Sequence, residues 1–239
     1  MVYYPDTAAV AVPKRKDPSL AMKIDLHVHS SAVSLCGKVP VEELIRLYRA
    51  AGYDGFVLTD HCNRYTADHR FPGGEEDFGE FFLRCCAEAR ALGERENFLI
   101  LTAQELRFDE SINDYLVYGM PDEMLRDWSS LFAMKPADFF ALARERGWLV
   151  YQAHPFRNGM KITDPSLLFG IEVHNMHPRH DSRNEIAEMW ASRHHLHGIS
   201  GSDCHQIVDA GRGGIVIEGE IRLMEELVAL LREDRYTLI

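Results

Sequence analysis

Several things are missing from this 239-residue chain. There is no CxxC pair, and the five cysteines are an odd number. A disulfide framework is therefore not expected, and a reducing compartment, the cytoplasm, fits best. No apolar run approaches the ~20 residues of a membrane span. The apolar stretch at 8–12 is too short for a signal peptide and follows Asp6. No phosphate-binding glycine loop, dinucleotide fingerprint or serine nucleophile elbow occurs. Positive charge is also scarce, with 26 Lys and Arg against 37 Asp and Glu and a formal net charge of −11. A surface built for duplex nucleic acid needs a basic stripe, so that class is excluded. Anionic small molecules stay open, because bound metal ions reverse the local sign of a pocket.

What is present is an alternation of strand-like and helix-like segments. Strands are expected over 23–27, 55–59, 98–103, 115–119, 148–152, 170–174, 198–201 and 214–217. Helices are expected over 41–51, 77–94, 136–146, 182–193 and 222–232, with Gly52 as a stop and Pro136 near a start. Residues 1–21, with Pro5, Pro13, Pro18 and the Lys14-Arg15-Lys16 triplet, read as an irregular extension, and 22–239 as one domain. Alternating units imply an α/β fold with a mainly parallel sheet. A barrel is favoured over a doubly wound sheet, because polar residues end nearly every strand rather than one switch point.

Those polar endings carry the chemistry. They are Asp25-Leu26-His27-Val28-His29, Thr59-Asp60-His61, Ala153-His154-Pro155 and Ser202-Asp203-Cys204-His205. Side chains two apart on a strand share a face, so His27 pairs with His29 and Asp203 with His205. Imidazoles and carboxylates gathered at adjacent strand ends are a divalent-metal site. Glu105, after the strand at 98–103, is placed to bridge two ions. Asp60 points to the other face as a supporting group. His174 is a candidate for substrate or metal contact, and Glu172, on the same face, for orienting a ligand. Arg157, Arg179 and Arg183 are candidate phosphate clamps. Cys36, in the loop after His29, is a further candidate ligand, whereas Cys62 and Cys204 alternate away and Cys85-Cys86 fits a buried helix face. His194, His195 and His197 read as helix-end residues. The segment with Arg64, His69, Arg70 and Gly73-Gly74 reads as a polar loop or active-site flap.

At these residues the chain resembles the PHP family, named for polymerase and histidinol phosphatase domains. The shared features are Asp25-Leu26-His27-Val28-His29, Thr59-Asp60-His61, Glu105, His154-Pro155, Ile171-Glu172-Val173 and Asp203-Cys204-His205. They run in the family's order from 23 to about 217. The resemblance implies a distorted (β/α)7 barrel and two or three metals that hydrolyse a phosphate ester by a metal-bound hydroxide. His27, His29, Glu105 and Asp203 would hold one ion, and Glu105 with His154 and Asp114 a second. His61 and His205 would complete a third site or contact the phosphate. The pattern departs twice. Residues 30–36 lack the His or Asp many members carry there, and Asn113-Asp114 stands where many have a His. The donor set suits Zn, Mn or Fe. The expected partner is a small phosphorylated substrate, with no duplex nucleic acid and no membrane; the oligomeric state is not legible. His205 and His174 are the candidate leaving-group acids. Two rivals are a C–N hydrolase of amidohydrolase type, disfavoured because no strand ends in a bridging Lys, and a non-catalytic metal-holding domain.

Overall fold

A computed structural model describes residues 21–70 and 77–239. The expected extension, apart from Ala21, and Gly73-Gly74 of the expected flap lie outside the described residues. The first half comprises β1 (Met22–Val28), α1 (Val41–Ala50), β2 (Gly55–Leu58), β3 (His61–Cys62), α2 (Arg64–Arg70), α3 (Phe78–Glu96), β4 (Leu99–Thr102), β5 (Gln104–Leu106) and β6 (Tyr115–Tyr118). The second half comprises α4 (Glu123–Arg126), α5 (Trp128–Ala133), α6 (Pro136–Arg146), β7 (Leu149–Gln152), β8 (Gly170–Asn175), α7 (Asn184–His194), β9 (His197–Gly201), β10 (Ile215–Ile217), α8 (Met224–Arg232) and β11 (Thr237–Leu238).

Two sheets form, ordered β11-β10-β1-β2-β4 and β3-β5-β6-β7-β8-β9. They are continuous across one seam because β2 runs on into β3, and β4 into β5. The bonds Ala103 N–H to Leu58 O (2.9 Å) and Glu105 N–H to Asp60 O (3.3 Å) carry the ladder across the break. At the other seam Val28 bridges Cys204, with His29 N–H donating to Cys204 O at 3.0 Å. Seven strand positions thus close into a ring, a distorted α/β barrel. Its distortion has two sources. The lower part of β1 pairs with β10 instead of β9, and β6 runs antiparallel to both neighbours. The mainly parallel expectation holds for the other positions. The reversal has a consequence for the site: the residue that precedes β6, Asp114, reaches the rim where the other strands end.

Apolar residues fill the ring beneath that rim. Leu26, Val57, Leu101, Leu116, Tyr151 and Ile199 belong to one buried cluster, joined by Leu227, Leu230 and Leu231 of α8. Each such side chain contributes about 1.5–3 kcal/mol by leaving water, so the rim stands on a scaffold that does not depend on its polar groups. The segments at 64–70, 123–126 and 128–133 are short helices that the sequence pattern did not show. In α5, Leu131 and Phe132 are buried, and Asp127 caps the first turn through Ser130 N–H.

Candidate metal centre

Irregular backbone delivers the functional side chains. Pairing of β1 with β2 shifts register between Asp25 and Val28, a bulge that interrupts strict alternation. Asp25 therefore turns out to the Tyr48 hydroxyl on α1 (2.8 Å), while His27 and His29 come together on the inner rim. Gly201 makes room for them, since a Cβ there would collide with His27. His154 and Asp203 both have positive φ, 31° and 49°, conformations that non-glycine residues avoid and that cluster at functional sites. His154 is held there by its own N–H donating to Glu172 Oε2 at 2.8 Å.

Proton bookkeeping fixes what each imidazole offers. Glu172 Oε1 lies 2.8 Å from His27 Nδ1 and, as a carboxylate, can only accept, so Nδ1 carries the proton. Ser34 Oγ donates to Asp60 Oδ1 at 2.6 Å. Its lone pairs then accept from His61 N–H (3.0 Å) and His29 Nδ1 (3.1 Å). His205 Nδ1 lies 2.9 Å from the Asp203 carbonyl, again an acceptor. In their neutral forms all three rings thus turn an unprotonated Nε2 away from these partners. The Nε2 atoms of His27 and His29 face each other at 3.0 Å. Two lone pairs at that distance repel unless a proton or a metal ion sits between them, so the residues fit a metal site.

Glu105 is the hub. Its side chain is fully buried. Oε1 lies 3.1 Å from His154 Nε2 and 3.4 Å from His27 Nε2. Oε2 lies 2.7 Å from His61 Nδ1 and 3.3 Å from His29 Nε2, yet Oε2 and His61 Nδ1 have no hydrogen-bonding geometry. Asp203 Oδ1 approaches His27 and His29 at 3.5 and 3.4 Å. Burial raises the Glu105 carboxyl, but His61, His27 and His154 outweigh it and hold it well below the usual carboxylate range. Burial likewise raises Asp203, and His27, His29, His205 and Arg157 outweigh that too. Burial, His205 and His61 push His29 well down, so it is neutral, as a ligand must be. Burial also opposes a charge on His27, but Glu172, Asp203 and Glu105 outweigh it and raise His27 well above its ordinary value. The pocket draws positive charge to this spot.

Three groups of potential ligand atoms lie within 4.8 Å of one another among the described residues: His27, His29 and Asp203; His61, Glu105 and Asp114; and His29, His61 and His205. His154 belongs to none of them but reaches both Glu105 and, at 4.0 Å, Asp114 Oδ2. Asp114 is also held by Arg107, whose Nε and Nη2 donate to its two oxygens at 2.7 and 2.6 Å. Arg107 was not singled out in the sequence. Its position two after Glu105, on the same strand face, was the available signal.

Above these atoms opens a pocket of about 370 Å³, lined among others by Cys36, Arg107, Arg157, Arg179 and His180. Arg157 donates to Asp203 Oδ2 (2.6 Å) and Asn175 Oδ1 (2.7 Å), so it fixes a ligand carboxylate, while its Nε has no partner. Arg179 clamps Asp209 with both terminal nitrogens. Arg183 does not line the pocket; it donates to the Phe156 carbonyl and Asn158 and ties the loop after His154. His174 is also outside and pairs with Glu188 on α7. Expecting Glu172 and His174 on one face fails because β8 shifts register between them: Glu172 turns in and His174 out. Asp60 supports, accepting from Ser30 N–H, Ser30 Oγ and Ser34 Oγ. His195 caps α7, whereas His197 is a β9 residue stacked on Phe169. His69 lies on α2 against Tyr65, not in a loop.

Cys36 Sγ lies within hydrogen-bonding reach of the His61 and His205 imidazoles. Burial raises this thiol, but the two rings outweigh that and bring it down to about 6. The other four cysteines are buried.

Comparison with known proteins agrees with this geometry. A sequence model of the PHP domain matches residues 25–214. The chain is 26% identical over 221 residues to a Thermotoga maritima protein described as a probable histidinol-phosphatase, covering 80% of this chain and 87% of that one. A two-domain Bacteroides vulgatus protein, described as containing a PHP-like metal-dependent phosphoesterase, superimposes with a TM-score of 0.65. Its identity is 20%, over 99% of this chain and 69% of that one. PsfC from Pseudomonas syringae superimposes with a TM-score of 0.63 at 17% identity, over 89% of this chain and 94% of that one. At these identities the superpositions speak to the fold.

Proposed function

The chain belongs to the PHP domain family, and on that premise we propose that it is a metal-dependent phosphomonoesterase acting on a small phosphorylated metabolite. One observation carries the reading most: each oxygen of Glu105 faces one imidazole of the β1 pair and one from another strand end, Oε1 facing His27 and His154, Oε2 facing His29 and His61. A carboxylate so placed is suited to bridge two cations. His27, His29, Asp203 and Glu105 would hold one; Glu105, His154 and Asp114 a second. Bound divalent ions would supply Lewis acidity and lower the pKa of water.

The chain's own residues do the rest. Glu172 fixes the tautomer of His27, and Ser34 that of His29. Arg157 and Asn175 hold one oxygen of Asp203 so that the other faces the imidazoles. Arg179 and Arg107 bring cationic groups to the rim of an otherwise acidic protein, which favours a phosphate dianion over a neutral amide. Asp209 keeps Arg179 in place and itself accepts from His205 N–H at 3.0 Å and Gln206 N–H at 2.8 Å. Of the two candidate leaving-group acids, His174 lies outside the pocket, and His205, which lines it, can act as an acid only where its Nε2 holds no metal. The five thiols are all free, which suits a reducing, cytoplasmic setting. No described helix is long and apolar enough to cross a membrane.

The test is a release assay on protein reconstituted with Mn, Zn or Fe(II), over p-nitrophenyl phosphate and a panel of sugar, amino-alcohol and nucleoside monophosphates. Phosphate release that a chelator abolishes and metal restores is expected. Ammonia from amides with no phosphate from any ester would establish the C–N hydrolase instead, and no turnover with metal bound would favour the non-catalytic rival.

The arginines separate binding from metal retention. Arg179→Ala removes a charge-assisted contact worth ~1.5–3 kcal/mol, so KM should rise roughly 10- to 100-fold with metal content unchanged. Arg157→Ala should lower metal content as well, because Asp203 loses its anchor. If Arg179→Ala releases metal, or Arg157→Ala retains it fully, these two roles are misassigned.

A further inference from the structure

Resting on the metal-dependent reading above, we propose that Cys36 supplies the loop ligand of the third cation site that the resemblance implies at His61 and His205, a sulfur donor where many family members carry a His or Asp. The imidazoles of His29, His61 and His205 already converge. Ring centroids of His29 lie 4.4 Å from His61 and 4.2 Å from His205, and those of His61 and His205 are 5.7 Å apart. Among the five cysteines only Cys36 is exposed, and it lines the pocket with His61 and His205.

A second observation points to a cation there independently of the thiol. Glu105 Oε2 is fully buried, directed at His29 and His61, and has no hydrogen-bonding geometry to either. A carboxylate oxygen and imidazole nitrogens facing one another in this way lack an inner partner, and a cation supplies it.

The loop that carries Cys36 is fixed in place. Ser31 N–H donates to Val39 O (2.9 Å), Gly37 N–H to Ser34 O (3.2 Å) and Lys38 N–H to the His205 carbonyl (2.8 Å). Ser34 and Ser30 are both tied to Asp60. Gly37 is required for this path, since a Cβ there would collide with the Ser30 carbonyl. Position 36 is thus anchored through the backbone to one of its own co-ligands, so little ordering is needed for sulfur to bind. Ligation would release the thiol proton to solvent and leave one sulfur–metal bond, with no change of oxidation state. Thiolate with imidazole favours Zn or Fe(II) over Mn or Mg.

The experiment is anaerobic cobalt(II) and zinc titration of the full chain, followed by absorption spectroscopy and metal counting, with Cys36→Ser and His205→Ala alongside. Wild type should show a sulfur-to-cobalt charge-transfer band in the near ultraviolet. Cys36→Ser, with unchanged circular dichroism, should lack the band and bind one zinc equivalent at least ~10²-fold more weakly, since even supporting residues cost about 10–100-fold. His205→Ala should weaken the same equivalent. Iodoacetamide labelling of Cys36 should slow by about tenfold or more when zinc is added. Cobalt bound by wild type without the charge-transfer band would overturn the assignment while leaving the two sites around Glu105 standing. No cobalt or zinc bound by wild type would overturn the metal-dependent reading itself.

Discussion

Glu105→Gln should fold like wild type, retain one metal or none, and release phosphate at least roughly 10³-fold more slowly. The barrel core under Glu105 is apolar, and its strand pairing runs through the backbone, Glu105 opposite His61 and Leu116. Neither depends on a carboxylate. The charge matters because two dications 4 Å apart repel by on the order of 16 kcal/mol even at an effective dielectric of 20. A shared anion offsets that, and a neutral amide does not. The amide also brings an NH2 group toward His61 or His154, where it would donate to the lone pair that a metal needs. Excess metal should restore little. Chelator-resistant, two-metal protein with near-normal turnover after Glu105→Gln would mean that the bridge lies elsewhere, and the division of ligands proposed above would have to be redrawn.

The polar strand endings were legible because buried apolar runs stop at one rim and side chains two apart on a strand share a face. His27 and His29 share a rim, Glu105 and His154 meet, and Asp203 joins them, all from side chains ending buried strands. What failed is where local geometry breaks the period. The register shift in β8 separates Glu172 from His174, so a residue expected to contact substrate pairs instead with Glu188. The expected strand at 98–103 corresponds to β4 alone, with β5 beginning beyond it after the break at Ala103, and the reversal of β6 is a tertiary choice that no run of residues announces. The polar segment at 64–70 forms a helix because Asn63 accepts from Thr66 N–H at 2.8 Å and starts it, a cap hidden among other polar groups. Cys36 shows the reverse case. The loop after His29 looks deficient when scanned for His or Asp, and Cys36 was legible there as a candidate; what the sequence did not show is that this loop folds against His205. Arginines were over-read because sequence gives their charge and not their partner: Arg157 and Arg179 both spend part of their guanidinium on carboxylates.

Glu172→Ala should have the opposite signature to Glu105→Gln, a large loss of stability together with weakened metal binding. The buried Glu172 carboxylate accepts from three donors on three segments: His27 Nδ1 on β1 at 2.8 Å, His154 N–H after β7 at 2.8 Å, and Asn175 Nδ2 on β8 at 2.9 Å. Removing it strands these donors in a water-poor rim and leaves His154 without the bond that holds its positive φ. Breaking a buried, hydrogen-bonded charge network of this kind costs ~3–5 kcal/mol, which in a chain of this size lowers Tm by roughly 6–20 °C. Metal affinity should fall about 10- to 100-fold as His27 loses the acceptor that fixes its tautomer. Glu172→Gln tests the same point more finely. One end of its amide can still accept, but the other presents a donor to a donor, either His27 Nδ1 or His154 N–H, so it should recover only part of the loss. Thermal unfolding and metal titration of both variants decide the matter. If Glu172→Ala melts within a degree or two of wild type and binds metal normally, the carboxylate does not organise the rim, and the orientation of His27 and His154 must be set by the strands alone.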